Sequence, residues 1–213
     1  MIALVIGATG ATGKDLVEQL LNDDSFKEVH IFIRRNSGVN HSKLHEHLID
    51  FEQINTWKDQ LKGDILFSVL GTTIKQAGSQ EIQWKVDHTY QYEVAKSACE
   101  NGVNSLVLIS SAWANSKSKV FYTRMKGQLE DDIIKLGFTK TIIIRPPSLI
   151  RKNSDRFGEK ASVAILKVIN KIGLLRSMQP ISTEQVACTM IKTSKENTKG
   201  VRILEAKEIK SIK

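Results

Sequence analysis

An apolar run, IALVIG (2–7), passes without a linker into a glycine-rich segment, GATGATGK (7–14), and then into an amphipathic stretch, KDLVEQLLND (14–23). Leu16, Val17, Leu20 and Leu21 fall on one stripe at helical spacing. A buried strand, a tight turn and a helix therefore occupy the first two dozen residues. That restricts the chain to folds that open on a strand–turn–helix unit.

The alternation continues. Short apolar runs predict further strands at 28–35, 46–51, 64–71, 105–111, 140–147 and 200–205. Helical patterns lie between or after them at 86–102, 121–137, 159–173 and 182–194. Strands alternating with helices imply parallel pairing, with helices on both faces of the sheet. The near-continuous apolar character of the first, fourth, fifth and sixth strands agrees. Right-handed crossovers make this a doubly wound α/β fold with a mostly parallel sheet. Its ligand crevice is expected at the carboxyl ends of the strands, where the order reverses between the first and fourth. No linker divides the 213 residues, so one domain over 1–213 is expected, with about 148–200 forming a small C-terminal lid.

The glycine turn has two registers. A mononucleotide P-loop requires Gly-x-x-x-x-Gly-Lys-Ser/Thr. Anchored on Gly13-Lys14, it finds Ala8 in place of the first glycine and Asp15 in place of the metal-binding hydroxyl. The other register, Gly7-x-x-Gly10-x-x-Gly13, suits a dinucleotide turn. Gly7 makes the bend, Gly10 admits the pyrophosphate, and Gly13 allows close helix–strand packing. Thr9, Ala11 and Thr12 complete the candidate cradle at the helix N-terminus, which carries free N–H groups and partial positive charge.

The second strand ends IFIRRNS, with no acid to bind a ribose 2′-hydroxyl. Arg34 and Arg35 stand there instead, and a guanidinium matches a 2′-phosphate in charge and geometry. NADP(H) is the expected cofactor. Asp50, at the end of the third strand, either borders the adenine or caps the following turn.

The fifth strand ends LISS (108–111), and Tyr122 and Lys126 follow at helical i, i+4 spacing. Tyrosine, with an ordinary pKa of about 10, exchanges protons poorly near neutral pH, and a neighbouring ammonium favours its ionised form. A serine hydroxyl can hold an oxygen on which charge develops. Ser111, with Ser110 as the substitute, completes a candidate catalytic set with Tyr122 and Lys126.

The glycine turn, LGTT (70–73), LISS, YTRMK (122–126) and IIIRPPSLI (142–150) together resemble the short-chain dehydrogenase/reductase superfamily. LGTTIKQAGS, SSAWANSKSKVFYTRMKGQLED and GVRILEAKEIKSI resemble its atypical members around the Tat-interacting protein. The resemblance implies a Rossmann fold, bound NADP(H) and a Ser111–Tyr122–Lys126 centre, with Lys126 also on the nicotinamide ribose. It places the Gly71-Thr72 backbone beside the cofactor, and Pro147, Ser148 and Leu149 beside the nicotinamide. Asp87 stands where many members carry asparagine, and the Ser–Tyr interval is shorter than in well-known dehydrogenases. Both departures bear on turnover rather than on cofactor binding. Two functions follow: a reductase of a small carbonyl, or a non-catalytic NADPH sensor that contacts another protein.

The remaining features exclude more than they assign. The formal net charge is +8, in scattered patches such as SKSK (116–119). Without interleaved aromatics or a known motif this reads as a solvated surface, and no nucleic-acid partner is inferred. No apolar run approaches the ~20 residues of a membrane span, and the N-terminal apolar segment lacks a basic region before it. Cys99 and Cys188 have no metal-ligand spacing and read as buried free thiols, which suits a reducing, cytoplasmic setting. His41 and His45 also have i, i+4 spacing, but no paired acid supports a metal, so a solvated helix and no metal site are expected. Trp57 and Trp84 read as packing residues. Trp113 either packs or walls the substrate pocket.

Overall fold

Seven strands form one sheet in the order β3-β2-β1-β4-β5-β6-β9, every neighbouring pair parallel. They are β1 (Ile2–Ile6), β2 (Glu28–Ile33), β3 (Leu44–Leu48), β4 (Ile65–Ser68), β5 (Ser105–Ile109), β6 (Lys140–Arg145) and β9 (Gly200–Glu205). The structure is a computed structural model and describes residues 1–150 and 179–212. The helix expected at 159–173 lies outside the described residues. The order reverses at β1, which pairs with β2 on one side and β4 on the other, as the doubly wound pattern requires.

Alternation along each strand feeds two cores. Ala3 and Val5 join one cluster with Leu16, Leu20, Phe67, Val107, Val186 and Met190. Leu4 and Ile6 join the other with Phe32, Leu66, Val94, Leu108, Leu129 and Ile133. The first face is covered by α1 (Ala11–Leu21), α6 (Thr183–Lys195) and α7 (Ala206–Ser211), and the second by α4 (Tyr90–Glu100) and α5 (Phe121–Lys135). A strand buried on both faces has no polar side, which is why β1 reads as an unbroken apolar run.

The connection from β4 to β5 departs from a single helix over 86–102. Two short helices, α2 (Ile74–Ala77) and α3 (Gln80–Trp84), lead into a π-turn over Lys85–Thr89 and then α4. The hydroxyls of Thr73 and Ser79 cap α2 and α3. The π-turn inserts one residue into the helical ladder and turns Asp87 inward.

The third strand also departs from expectation. It runs 44–48 rather than 46–51, so His45 and His47 are strand residues and the helix expected around His41 and His45 is absent from this segment. Backbone pairing with β2 overrides the i, i+4 spacing, because LHEHL carries strand periodicity in a largely polar sequence. Cys99 and Cys188 are unpaired but half-buried rather than buried, at the margins of the inward stripes of α4 and α6. At the far edge, the buried Lys140 ammonium donates to the carbonyls of Ser194 (2.7 Å) and Glu196 (2.5 Å), closing the C-terminus of α6. A two-stranded parallel ladder, β7 (Leu149–Ile150) with β8 (Ile181–Ser182), stands apart from the main sheet. Among the described residues no helix is long and apolar enough to cross a membrane.

Candidate functional site

The glycine turn follows β1 and is built by close approach. A Cβ on Gly7, at φ +81°, would meet Val69 and Leu70 backbone atoms at 2.5 Å. One on Gly13 would stand 2.1 Å from the Gly7 carbonyl oxygen. A side chain at Gly7 would collide with the backbone at the end of β4, and one at Gly13 would push the start of α1 away from β1. One on Gly10 would meet only that same oxygen, at 3.2 Å, so the other side of Gly10 is open. Gly10 begins α1 in extended geometry with no side-chain cap and no acid in the first turn. Thr9 and Gly10 are exposed, Ala11 is half-buried, and Thr12 and Gly13 are buried. An uncapped helix start beside an open glycine fits a dinucleotide pyrophosphate. Lys14 is exposed.

Beyond β2, Arg34 and Arg35 are both exposed. Asp50 takes the capping alternative: its Oδ1 accepts from the Glu52 N–H at 2.9 Å, and its carbonyl accepts from Trp57 Nε1 at 2.8 Å. Trp57 packs on Phe32 and Phe51 in the core, as expected. Sequence reasoning missed Tyr90 here. Its hydroxyl donates to Glu52 Oε1, which also binds Lys85 Nζ at 2.6 Å, and its ring stacks on Phe51 at 5.1 Å. Burial pushes the Tyr90 phenol well above its ordinary value, and Glu52 and Asp50 add to the shift while Arg34 opposes it. Arg34, Asp50, Glu52, Lys85 and Tyr90 thus share one electrostatic field. No spacing signal marks a contact between residues 52 and 90.

At the end of β4, Thr72 is held on both sides of its peptide. Its N–H donates to Asp87 Oδ2 at 2.8 Å, and its carbonyl accepts from Gln83 Nε2 at 3.4 Å. The other Asp87 oxygen stands 3.5 Å from Lys126 Nζ. Gln91 bonds the Asp87 carbonyl and accepts from Ser68, both at 2.7 Å, which locks the π-turn to β4. Burial pushes the Asp87 carboxyl up, and the Lys126 charge and the Thr72 N–H pull it down; the net direction is upward. One carboxylate therefore joins the Gly71-Thr72 loop to α5.

Tyr122 is exposed and Lys126, one turn later on α5, is buried. The loop from Ser110 to Val120 lies against this helix. Gly127 makes that possible: a Cβ there would stand 2.2 Å from the Asn115 and Ser116 backbone, and the Asn115 N–H donates to the Thr123 carbonyl at 2.9 Å. Ser110 is buried and its hydroxyl has no hydrogen-bond partner among the described residues, whereas Ser111 is half-buried. Trp113 is exposed, with φ +61°, and does not pack as a core residue. Trp84 does pack, on His88 at 4.8 Å. The N–H groups of Ser110 and Ala112 donate to the Ile144 and Pro146 carbonyls, so the end of β6 carries the serine loop. Arg145 fixes that end through a two-bond fork to the buried Glu130 (3.0 and 2.5 Å) and a bond to Glu205 (3.0 Å). Glu130 and Glu205 together hold the Arg145 charge above its ordinary range. Pro147 is half-buried and Ser148 exposed, its carbonyl accepting from Ile181 N–H at 3.0 Å.

A separate cleft of about 580 Å³ opens between α1 and α6, lined in part by Asp15, Glu18, Asp23 and Lys195. None of the expected site residues lines it. The expected site residues lie instead at the strand ends, in the glycine turn, the Thr72 loop and α5.

A family model described as NAD(P)H-binding matches residues 7–197. The chain belongs to this NAD(P)H-binding family. Its relatives include the mitochondrial protein FMP52-1 of Scheffersomyces stipitis, 34% identical over 98% of this chain and 97% of that one. The mitochondrial FMP52 of Eremothecium gossypii is 32% identical over 100% of this chain and 97% of that one. Among solved structures, MoeE5 with UDP-glucuronic acid and NAD superposes at a TM-score of 0.73, with 18% identity over 96% of this chain and 75% of that one. The UDP-glucose 4-epimerase of Thermotoga maritima with UDP-glucose gives 0.70, with 14% identity over 100% and 81%. The NAD(P)H-binding family model and these folds support membership in an atypical short-chain dehydrogenase/reductase-like superfamily, on a Rossmann-type, nucleotide-binding, oxidoreductase-like fold. The relatives' names overturn the cytoplasmic expectation. Free thiols speak for a reducing environment, not for the compartment that provides it.

Proposed function

We propose that the chain is an NADPH-dependent reductase of a small carbonyl compound. The observation that carries this is the buried Lys126, one turn from Tyr122 on α5 and tied through Asp87 to the backbone of Thr72. That linkage would register the proton donor against a cofactor held along the strand ends. In this reading Gly7, Thr9, Gly10, Ala11, Thr12 and Gly13 cradle the pyrophosphate. Arg34, with Arg35, receives the 2′-phosphate, and Gly71, Thr72, Pro147 and Ser148 border the nicotinamide ribose and ring. Asp50, engaged in its cap, stays at the margin of the adenine side. The single domain and its small lid over about 148–200 are part of the same proposal.

When bound, NADPH supplies hydride. Tyr122 donates the proton that the carbonyl oxygen gains. Lys126 places positive charge beside the phenol and favours its loss of that proton. Ser111 holds the oxygen, with Ser110 in competition, since an unpartnered buried hydroxyl is suited to a ligand that supplies its partner. Tyr122→Phe tests the proton donor while leaving the proposed cofactor contacts in place. The relatives' names support a mitochondrial setting.

One observation favours a second reading. The Asp87 carboxylate opposes the Lys126 charge in a buried site, which weakens the ammonium as an activator of Tyr122. A chain that binds NADPH tightly and oxidises it with no aldehyde or ketone would be a sensor that contacts another protein.

A further inference from the structure

Histidines at 30, 45 and 47 meet on one side of the β2–β3 edge. The parallel register sets His30 opposite His45 and Phe32 opposite His47. Residues two apart on a strand share a face, so Glu28 and His30 on β2 lie on the same side as His45 and His47 on β3. The His30 and His45 rings stack at 4.6 Å and those of His30 and His47 at 5.2 Å. One ligand atom each from Glu28, His30 and His45 lies within 4.8 Å of the others.

Close polar contacts tie the cluster together. His47 Nδ1 stands 2.8 Å from Gln60 Oε1, and His47 Nε2 stands 2.9 Å from His30 Nδ1. The other His30 nitrogen, Nε2, stands 2.9 Å from Glu28 Oε2. An imidazole nitrogen and a carboxylate oxygen thus converge on one point at the strand edge. His45 is exposed, makes no side-chain hydrogen bond among the described residues, and stacks beside this point.

We propose that Glu28, His30 and His45 form a binding site for a divalent transition-metal ion of the zinc class, with His47 and Gln60 orienting His30 from behind. Two imidazoles and a carboxylate are a common zinc donor set, and water fills the fourth position. Ligand atoms of a tetrahedral zinc stand about 3.3 Å apart at bonds of about 2.0 Å, close to the spacing of Glu28 and His30. A ligating histidine is oriented by the group that its other ring nitrogen contacts, which is the part His47 plays. His30 precedes Arg34 by four strand residues, about 13 Å, so the site is separate from the proposed cofactor cleft. Its ion would clamp the edge strand β3 to β2.

Calorimetric titration of the untagged full chain with zinc chloride at pH 7.5 tests this. One saturable site is expected, weakened at least tenfold by His45→Gln and by Glu28→Gln. Both side chains reach solvent, so neither substitution opens the core. Cobalt(II) should give the intense visible bands of a four-coordinate ion in the wild type alone. Absence of a saturable zinc site, or a loss below tenfold in either variant, overturns the proposal.

Discussion

Lys126 Nζ stands 3.5 Å from Asp87 Oδ1, and both side chains are almost completely buried. An ammonium and a carboxylate removed from water depend on each other. Removing one partner of such a pair leaves an uncompensated charge and destabilises by about 3–5 kcal/mol, whereas removing both is often nearly neutral. Lys126→Met is therefore expected to lose about 3 kcal/mol in urea denaturation at pH 7.5. The double variant Asp87→Asn/Lys126→Met should lose less than that single one. A double-variant loss equal to the sum of the two single losses would contradict the coupling.

Asp132 gives the stability a testable acid limb. Burial pushes its carboxyl up, but hydrogen bonds from Lys135, Gln128 and His88 outweigh this and hold it below 3.8. A carboxylate with a depressed folded-state pKa stabilises above its unfolded value, and that contribution disappears as pH falls through the folded value. The stability difference between wild type and Asp132→Asn should be full at pH 5 and shrink steadily toward pH 2.5. Chemical denaturation across that range measures it. A difference unchanged between those limits would contradict the assignment.

The parts of the fold that were legible have a common physical basis. β1, β4, β5 and β6 are covered on both faces, so their apolar runs leave no ambiguity. The glycine turn was legible because backbone approach at Gly7 and Gly13 admits no side chain. β3 was misplaced because an edge strand of alternating histidine and glutamate has little apolar signal of its own, and β2 supplies its register. The π-turn at Lys85–Thr89 arises without glycine or proline, so nothing punctuated the expected helix. Asp87 was visible as a departure from the family's asparagine, but its reach to both Thr72 and Lys126 is a tertiary fact. Gly127 did carry a signal, since a glycine inside a helix often marks a packing constraint. The loop of Asn115 and Ser116 fills the space it leaves.

The proposed preference for NADPH rests on Arg34. It is exposed beyond β2, and no acid takes its place on the strand end. Hydrogen bonds from a guanidinium to a phosphate contribute about 1.5–3 kcal/mol, roughly ten- to a hundredfold in affinity. Arg34→Ala should weaken NADPH binding by about that factor and NADH binding by less than about threefold. Titration of the reduced cofactors by fluorescence measures both. Equal losses would contradict recognition of the 2′-phosphate.

Tyr122→Phe bears most directly on carbonyl reduction. General acid catalysis contributes about 10²–10⁴-fold, and removing the hydroxyl removes the proposed donor without touching the glycine turn or Arg34. NADPH oxidation, followed with a panel of small aldehydes and ketones, is expected to fall at least about a hundredfold in kcat. NADPH affinity should be unchanged. Undiminished turnover in the Tyr122→Phe variant would contradict a tyrosine proton donor in this chain.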